Sequence, residues 1–440
     1  VHVCSKVAVG TSLMGKGGAV HEYVVGVRIV TPAPPGSERR FAVVREIGSH
    51  DPDLNAAKVS LGVLGVISQV TLQLEPLFKR SLTFLKNDSD ADLAEMVTVW
   101  GRHHEFGDIS WLPAQGKRWC SGRTTASTSP RRATVPTTSS PSAPSPRQTS
   151  SASERKGSDD AICRASRVLS PVFKEEGFGF TNDGESFTGY PVVGYQHSIQ
   201  ASGACQDVLE EEEEHDGLCP WDPRVHGTFL HNPAISVALS NATAFLKDVM
   251  RLRDRNRKAF CGIDLYMGIL FRYVTGSTAY LGEAEDSIVL DIAYYRSRVE
   301  GRSAVHADVL EQMALYKYGG RPHRGKNRNY AFNDTVGRYP RLGEFLEVKA
   351  RFDPDGVFSS EWSDQVLGIE GSPISMVPGC AVEGLCTCTD DVHFAPGYVC
   401  STGTVYPDAR VCSAVQPAPR CDGAAVNSIS HLSPMLAGPT

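Results

Sequence analysis

Two stretches near the start of the chain alternate between apolar and polar residues with the two-residue period of a β-strand. One is the β-branched run 24–30, which ends at a Thr-Pro pair, and the other is 66–74. Successive side chains of a strand point to opposite faces, so both stretches are predicted to be strands. Residues 54–61 begin with a helical pattern, and Gly62 and Gly65 end it because glycine favours turns.

Later segments show the 3.6-residue period of an α-helix as well as strand patterns. In residues 240–258 the apolar side chains of Ala242, Phe245, Leu246 and Val249 fall on one face, and Asn241 could cap the first turn. The same reasoning predicts helices at 90–106, 305–316 and 341–352, and strands at 108–113, 263–274 and 288–295. Together these elements predict an α+β fold.

Residues 121–150 differ in composition from the rest of the chain. Twenty of these thirty residues are Ser, Thr or Pro, and they show no apolar period. Such a segment buries too little apolar surface to offset the entropy of ordering the chain, so we expect residues 121–160 to form a disordered insert. Two origins stay open: a stretch read in a shifted frame, or a genuine mucin-like insert.

Length and charge limit the classes of function. The chain has 440 residues and a net charge of −6, which argues against a general nucleic-acid-binding protein. Its length allows two or three domains. No apolar run reaches the ~18 residues of a membrane-spanning helix. The chain begins with Val1 rather than Met, and we expect it to be truncated at its N-terminus. The oligomeric state is left open.

The cysteines point to an oxidising compartment. Six of the 12 cysteines lie between Cys380 and Cys421, and their spacing contains no Cys-x-x-Cys pair. This spacing disfavours a zinc site and favours disulfides. Glycosylation sequons begin at Asn87, Asn241 and Asn333. We therefore expect a disulfide-bonded glycoprotein of the secretory pathway or the extracellular space.

The stretch Lys317–Phe332 is the strongest candidate for carrying chemistry. Five Lys and Arg side chains fall within residues 317–328, and His323 lies three residues before Lys326. Two glycines and a proline end the preceding helical pattern, so the stretch should form a loop. A fixed lysine can stabilise negative charge that develops during a reaction. The alternative is a solvated basic loop without a catalytic role.

A carboxylate in an apolar strand is the second candidate. Asp291 lies in the otherwise apolar run 287–295. A buried carboxylate needs a partner, and Arg296 is the candidate in the sequence. The alternative is an edge-strand carboxylate that faces water.

The segment Pro322–Asn329 resembles the His-Trp-Gly/Ala-Lys segment of the sugar-1,4-lactone oxidases, in particular the plant L-gulonolactone oxidases. Arg324 stands where that family usually has Trp. Three further blocks resemble the same family: residues 10–32, 352–358 and the Cys-rich residues 386–412. The likeness spans most of residues 11–118 and 161–412.

The resemblance implies FAD as the cofactor, bound by a fold of the vanillyl-alcohol-oxidase type. The block around Gly62 and Gly65 resembles the start of the strand whose backbone meets the adenine end of FAD in that fold. The cofactor-binding residues implied by this likeness are Gly15, Gly17, Gly62, Gly65, Val66, Ile67 and Lys326. The family normally begins with another FAD-binding lobe that this chain lacks, so we expect only part of a two-lobed FAD domain.

This likeness also implies a domain organisation. We predict the second half of an FAD-binding domain at 1–80, an antiparallel-sheet substrate domain with helices at 81–120 and 161–368, the disordered insert at 121–160 and a Cys-rich tail at 369–440.

The implied reaction is oxidation of L-gulono-1,4-lactone, or of D-arabinono-1,4-lactone, by O2 to an ascorbate-type product and H2O2. Lys326 would lie beside the N1/O2 edge of the flavin, and His323 would touch the substrate hydroxyl or the ring. Asp291 and Arg296 would orient the substrate. The partners are then a sugar lactone and O2, with peripheral association with a membrane left open. Two alternatives remain: an inactive secreted relative, and a lactone dehydrogenase that passes electrons to a protein acceptor.

Overall fold

A computed structural model describes residues 13, 19–34, 41–76, 78–87, 89–125, 159–172, 189–195, 230–231, 233–265, 268–295, 310–311, 313–326, 335–369, 398–402 and 410–414. The α-helices of these ranges are α1 (Leu54–Ala57), α2 (Leu93–His103), α3 (Asp159–Val172), α4 (Leu239–Arg255), α5 (Cys261–Asp264), α6 (Leu342–Phe352) and α7 (Glu361–Leu367). The strands are β1 (Val24–Pro32), β2 (Ala42–Gly48), β3 (Val66–Leu72), β4 (Lys79–Asn87), β5 (Phe106–Leu112), β6 (Lys117–Thr125), β7 (Val192–Tyr195), β8 (Leu230–His231), β9 (Ala234–Ala238), β10 (Ile269–Val274), β11 (Ser287–Ile292), β12 (Tyr294–Tyr295), β13 (Arg321–Pro322), β14 (Tyr398–Thr402) and β15 (Arg410–Ala414).

The larger of two main sheets has eight antiparallel strands in the order β13-β9-β11-β10-β5-β6-β4-β7. One of its faces packs against α2 and α4, and the apolar side chains between them form the main core. Helix α4 contributes Phe245, Leu246 and Val249, which lie on one helical face and are fully buried. Burying each such side chain contributes ~1.5–3 kcal/mol, so this face anchors the sheet.

The opposite face of the large sheet carries a row of directly opposed residues on five strands. Asp291 lies opposite Leu270, and Leu270 lies opposite Ser110. Ser110 lies opposite Trp119, which lies opposite Lys86. Directly opposed residues point to the same side of a sheet, and none of these five belongs to the main core. We call this set the cross-sheet row.

The smaller sheet has three antiparallel strands in the order β2-β1-β3. Its central strand β1 buries Val24, Val27 and Ile29. These side chains share a second core with α1, α6 and α7, including Phe345 of α6. Strand β3 lies at the edge of the sheet, and Val66 at its start is 50% exposed.

The structure confirms most of the elements that the residue pattern predicted in the described ranges. Strands β1 and β3 and helices α2, α4 and α6 lie where the apolar periods placed them. Two details were wrong. Residues 263–264 belong to α5, so the strand predicted from 263 begins only at Ile269. Asn241 lies inside α4 and cannot cap it, because the helix begins at Leu239 and its N-cap is Ala238.

The prediction of a disordered insert at 121–160 is wrong at both of its ends. Residues 121–125 belong to β6, where their backbone pairs with β4 and β5, and residues 159–160 belong to α3. Pairing with β4, and with β5 as far as residue 123, satisfies the backbone here although the sequence SGRTT has no apolar pattern, which composition alone does not reveal. Residues 126–158 lie outside the described ranges.

Two further features concern the cysteines and the membrane. A disulfide joins Cys163 of α3 to Cys261 of α5. Strands β14 and β15 pair so that Cys400 lies opposite Cys412, and the other tail cysteines lie outside the described residues. Among the helices that the structure describes, none combines the length and the apolarity needed to cross a bilayer.

Candidate active site

The loop that carries Lys326 is fixed to the large sheet by its backbone. The short strand β13 pairs with β9, and the His323 amide donates to the carbonyl of Ala234 at 2.8 Å. The Lys326 amide then donates to the His323 carbonyl at 3.1 Å, which closes a turn. A π-helix, Met313–Lys317, precedes this loop. A β-carbon on Gly320 would lie only 2.6 Å from the carbonyl oxygen of Ala314, so the close approach of the loop to this helix requires glycine.

Lys326 and Asp291, which were predicted separately, form an ion pair. The Lys326 Nζ lies 2.9 Å from Asp291 Oδ1, and the guanidinium of Arg272 lies 3.2 Å from Asp291 Oδ2. The Asp291 side chain is 10% exposed and the Lys326 side chain 22%. The prediction that Asp291 needs a cationic partner is confirmed, and its partners among the described residues are Lys326 and Arg272. Arg296 lies outside the described residues.

The Asp291 carboxylate keeps capacity to accept hydrogen bonds. Both ion-pair contacts are short, yet neither oxygen receives a well-directed hydrogen bond from the residues that the structure describes. Buried polar oxygens are normally satisfied, because an unsatisfied one loses its hydration without compensation. The two cations offset part of the hydration that Asp291 loses, and each oxygen keeps a lone pair for a further donor.

A second buried carboxylate lies on the same side of the sheet, and sequence reasoning missed it. The Ser236 hydroxyl donates to Glu283 Oε1 at 2.7 Å, and the Arg321 guanidinium donates to Glu283 Oε2 at 3.0 Å. Ser236 lies in β9 directly opposite Val289, two residues before Asp291. Glu283 itself lies in the loop between β10 and β11, where no apolar period marked it. It uses both oxygens to hold the start of the Lys326 loop.

Arg324 occupies the position at which the resemblance leads one to expect Trp. Its guanidinium carbon lies 4.2 Å from the ring centre of Tyr339, and it donates to the carbonyl of Leu281 at 3.1 Å. Burial raises the pKa of Tyr339, so its hydroxyl stays protonated. The planar Arg324 side chain stacks on an aromatic ring, as an indole also could, and it is buried as a structural residue of the loop.

The hydrogen bonds of His323 indicate its tautomer. Its Nδ1 accepts from the backbone amide of Gly325 at 3.0 Å. A neutral imidazole whose Nδ1 accepts carries its proton on Nε2. In this tautomer Nε2 is a donor and cannot act as a general base.

A buried polar cluster around His21, also missed in the sequence, links the N-terminal segment to the loop after β10. The Ser277 hydroxyl donates to Glu22 and accepts from His21 Nε2 at 2.8 Å. The Lys58 ammonium donates to Thr278 at 2.9 Å and to Glu22 at 3.3 Å. These contacts tie together three segments that are distant in the sequence.

The charges of this cluster are set by burial and by its own members. Burial lowers the pKa of His21 to about 4, so the ring is neutral at pH 7. Burial alone would raise the pKa of Glu22, but the hydrogen bond from Ser277 and the charge of Lys58 hold it below its usual value. His21 Nδ1 is buried and has no partner among the described residues.

The glycines predicted to bind the cofactor divide into two groups. A β-carbon on Gly65 would lie 2.4 Å from the Val30 carbonyl oxygen, so this glycine serves the packing of β1. At Gly62 the backbone φ is +81° and a β-carbon would meet no atom within 4 Å, so the backbone there is open to a close approach. Val66 and Ile67 begin the exposed edge strand β3. Gly15 and Gly17 lie outside the described residues.

These observations fit a bound flavin. Lys326 presents a positive charge that Asp291 holds in place, and the Asp291 oxygens can still accept from a polar ligand. Gly62 offers the open backbone that close contact with a planar group requires. Of the residues predicted to hold FAD, the structure describes Gly62, Gly65, Val66, Ile67 and Lys326.

Comparison with known proteins finds relatives that cover most of the chain. Residues 230–366 match a family model described as D-arabinono-1,4-lactone oxidase, and residues 377–414 match one described as L-gulonolactone oxidase 2-like, C-terminal domain. L-gulonolactone oxidase 5 from Arabidopsis thaliana is 43% identical over 427 residues, which cover 92% of this chain and 70% of that protein. L-gulonolactone oxidase 2 from the same plant is 43% identical over 423 residues, with the same coverage.

More distant relatives extend this picture. The L-gulono-1,4-lactone dehydrogenase of Mycobacterium tuberculosis is 27% identical over 335 residues, which cover 73% of this chain and 65% of that protein. Among solved structures, a cholesterol oxidase from B. sterolicum superimposes with a TM-score of 0.54 at 14% identity, over 83% of this chain and 73% of that one. A solvent-stable cholesterol oxidase gives a TM-score of 0.57 at 13% identity, over 83% and 75%. The likeness to these structures confirms the predicted α+β class.

Proposed function

Because the chain belongs to the L-gulonolactone oxidase family of FAD-dependent oxidoreductases, we propose that it oxidises L-gulono-1,4-lactone with O2, giving an ascorbate-type product and H2O2. A ring hydroxyl and its C–H bond lose two electrons and two protons, which reduce O2 to H2O2. D-arabinono-1,4-lactone is the second substrate candidate, because the matched family model bears its name. The observation that supports the proposal most directly is the Lys326–Asp291 ion pair, on the face of the large sheet that carries the cross-sheet row.

In this proposal, residues of the chain position the ligands and stabilise the negative charge that develops on the cofactor. When bound, FAD supplies the two-electron acceptor for the lactone. Lys326, held 2.9 Å from Asp291, supplies a fixed positive charge for the negative charge that develops on reduction. The orientation of this ammonium does not have to change during the reaction, because the ion pair and the turn at His323 fix it beforehand.

Polar side chains around the Lys326–Asp291 pair would recognise the substrate. The Asp291 oxygens can accept from lactone hydroxyls, and Arg272 holds the other side of the carboxylate. His323 can donate through Nε2 to a lactone oxygen. Glu283 and Arg321 are paired with each other, so they keep the loop in place rather than bind substrate.

The test uses two lysines in closely similar surroundings. The purified chain is incubated with FAD, freed of excess cofactor and mixed with L-gulono-1,4-lactone without O2, while the visible absorption is recorded. We expect a yellow protein whose colour bleaches. Lys326→Met should keep its colour but lose most of the bleaching rate. Lys317→Met is the control, because Lys317 is also paired to a carboxylate, at 2.7 Å from Asp248, and is 21% exposed.

The outcomes separate the candidates. A colourless chain that takes up no FAD supports the inactive relative and contradicts the proposal. Equal bleaching rates for Lys326→Met and wild type would remove Lys326 from the mechanism. The similarity to a protein named L-gulono-1,4-lactone dehydrogenase keeps a dehydrogenase in consideration. Reoxidation by a soluble dye acceptor but not by O2 would favour that reading.

We also propose that the protein works in an oxidising compartment, in the secretory pathway or outside the cell. Support comes from the Cys163–Cys261 disulfide and from the exposed sequon residue Asn241. Endoglycosidase digestion of the protein from its native tissue should increase its gel mobility. Unchanged mobility, with both cysteines alkylated as free thiols, would contradict this location. Peripheral association with a membrane stays a prediction from the sequence.

A further inference from the structure

A cavity lies away from the Lys326 loop, where the turn between β5 and β6 meets α3 and α5. Its volume is about 500 Å³. The lining residues are Lys86, Ala114, Gln115, Lys117, Trp119, Cys163, Arg167, Arg257, Lys258 and Cys261. Cavities of this size accommodate small organic ligands. Nothing in the proposed reaction uses these residues.

The described lining of the cavity is rich in cations. Five of its ten described lining residues are Lys or Arg, and none of the ten is Asp or Glu. Two of these cations form exposed ion pairs: Lys258 lies 2.9 Å from Asp160, and Arg257 lies 3.4 Å from Asp254. All four side chains of these pairs are more than half exposed, so the pairs are weak and a bound anion can compete with them.

The walls of the cavity are fixed without a ligand. Asp264 is fully buried and accepts from the backbone amides of Ala114 at 3.3 Å and Gln115 at 3.1 Å, which holds the turn between β5 and β6. The disulfide between Cys163 and Cys261 ties α3 to α5 across the cavity. A preformed site binds without the entropy loss of ordering its walls.

The cavity also contains a buried donor that lacks an acceptor. Trp119 is 2% exposed, and its Nε1 has no hydrogen-bond partner among the residues that the structure describes. An indole N–H donates only, and buried donors are normally paired. The five cations of the lining match a ligand with several acceptor oxygens and more than one negative charge.

We propose that this cavity binds a small molecule carrying a phosphate group, such as a phosphorylated sugar, at a site separate from the lactone site. A phosphate monoester has a charge near −2 and three acceptor oxygens, which match a concave site of several cations better than a single planar carboxylate does. Lysines serve as point-charge donors to phosphate. This inference does not depend on the proposed oxidation.

The cross-sheet row gives the position of this site relative to the candidate active site. Trp119 and Asp291 belong to the same row and are separated by three strand spacings, with β10 and β5 between β6 and β11. Three spacings of about 4.8 Å place the two residues about 14 Å apart on one face of the sheet. The two ligands therefore occupy different sites on a shared surface.

The test is isothermal titration calorimetry of the whole chain with pyrophosphate, glucose 6-phosphate and citrate at constant ionic strength. We expect the two phosphate compounds to bind at one site, and citrate to bind at least about 10-fold more weakly because its charges are spread over separate planar groups. Citrate that binds as tightly overturns the assignment to phosphate. Absence of heat from either phosphate compound at millimolar concentration overturns the site itself.

Two lysine variants make the location testable. Lys258→Gln removes a cavity cation and breaks an exposed ion pair of 2.9 Å, whereas Lys247→Gln breaks an exposed pair of 2.8 Å with Glu95 outside the cavity. Lys258→Gln should weaken pyrophosphate binding about 10-fold, because hydrogen bonds to charged groups are among the stronger ones. Lys247→Gln should leave it unchanged. Equal weakening in both variants would show general electrostatic attraction and contradict the site.

Discussion

Asp291→Asn is the most informative change in the candidate active site. The substitution keeps the shape of the side chain but removes the charge that lies between Lys326 and Arg272. Both cations then face each other without a counter-charge in a largely buried position. The variant should therefore be less stable, and Lys326 should lose its fixed place.

The distances and exposures set the size of this effect. At 2.9 Å and an effective dielectric constant of about 20, the gross attraction of the Lys326–Asp291 pair is roughly 6 kcal/mol. Desolvation offsets much of it, and breaking a buried pair by removing one partner costs ~3–5 kcal/mol. Arg272 is 34% exposed, so solvent screens its share. We expect the lower end, a loss of ~3 kcal/mol in the free energy of unfolding.

The assay is urea unfolding followed by circular dichroism at pH 7, with Glu46→Gln as the control. Glu46 also pairs with an arginine of a neighbouring strand, Arg28 at 3.5 Å, but its side chain is 76% exposed. That variant should lose less than about 1 kcal/mol. If Asp291→Asn loses no more than Glu46→Gln at an unchanged m-value, the carboxylate does not hold the two cations together.

Three other predictions follow from single features of the structure. Gly65→Ala would place its β-carbon 2.4 Å from the Val30 carbonyl oxygen, so Tm measured by circular dichroism should fall markedly, and an unchanged Tm would contradict this packing. The pKa of His21 is lowered from 6.5 to about 4, so between these pH values the folded state binds fewer protons than the unfolded state. The free energy of unfolding should therefore decline as the pH falls through this window. His21→Gln should flatten that decline in unfolding experiments, and an equally steep decline would argue against a neutral buried ring. The Cys163–Cys261 disulfide closes a loop with a sequence separation of 98 residues, so its reduction should lower the free energy of unfolding by ~4–5 kcal/mol. Urea titrations with and without reductant measure this difference. An unchanged free energy would mean that the bond adds nothing to stability.

Local elements of the fold were readable from the sequence because their cause is local. The apolar period of α4 marks the helical face that packs on the large sheet. Strand β1 is the central strand of the small sheet, and its sequence is therefore a β-branched run. Strand β6 was not predicted, because its pairing depends on β4 and β5 and not on its own side chains.

The site was predictable in its residue types but not in its contacts. Lys326 and Asp291 each stood out in the sequence, one in a basic loop and one in an apolar strand. Arg272 did not, because its pairing with Asp291 depends on the register of β10 against β11, which periodicity does not define. Glu283 and His21 gave no signal at all, since each acts through partners that only the folded chain brings near.

The reduction potential of bound FAD tests the central claim most directly, namely that the Lys326 ammonium stabilises the negative charge of the reduced cofactor. Spectroelectrochemical titration would compare wild type, Lys326→Met and the control Lys317→Met. Loss of ~1.4–2.8 kcal/mol of charge stabilisation corresponds to a potential ~30–60 mV lower for a two-electron couple. We expect this shift in Lys326→Met and none in Lys317→Met. A Lys326→Met potential equal to that of wild type, or an equal shift in both variants, would contradict the account.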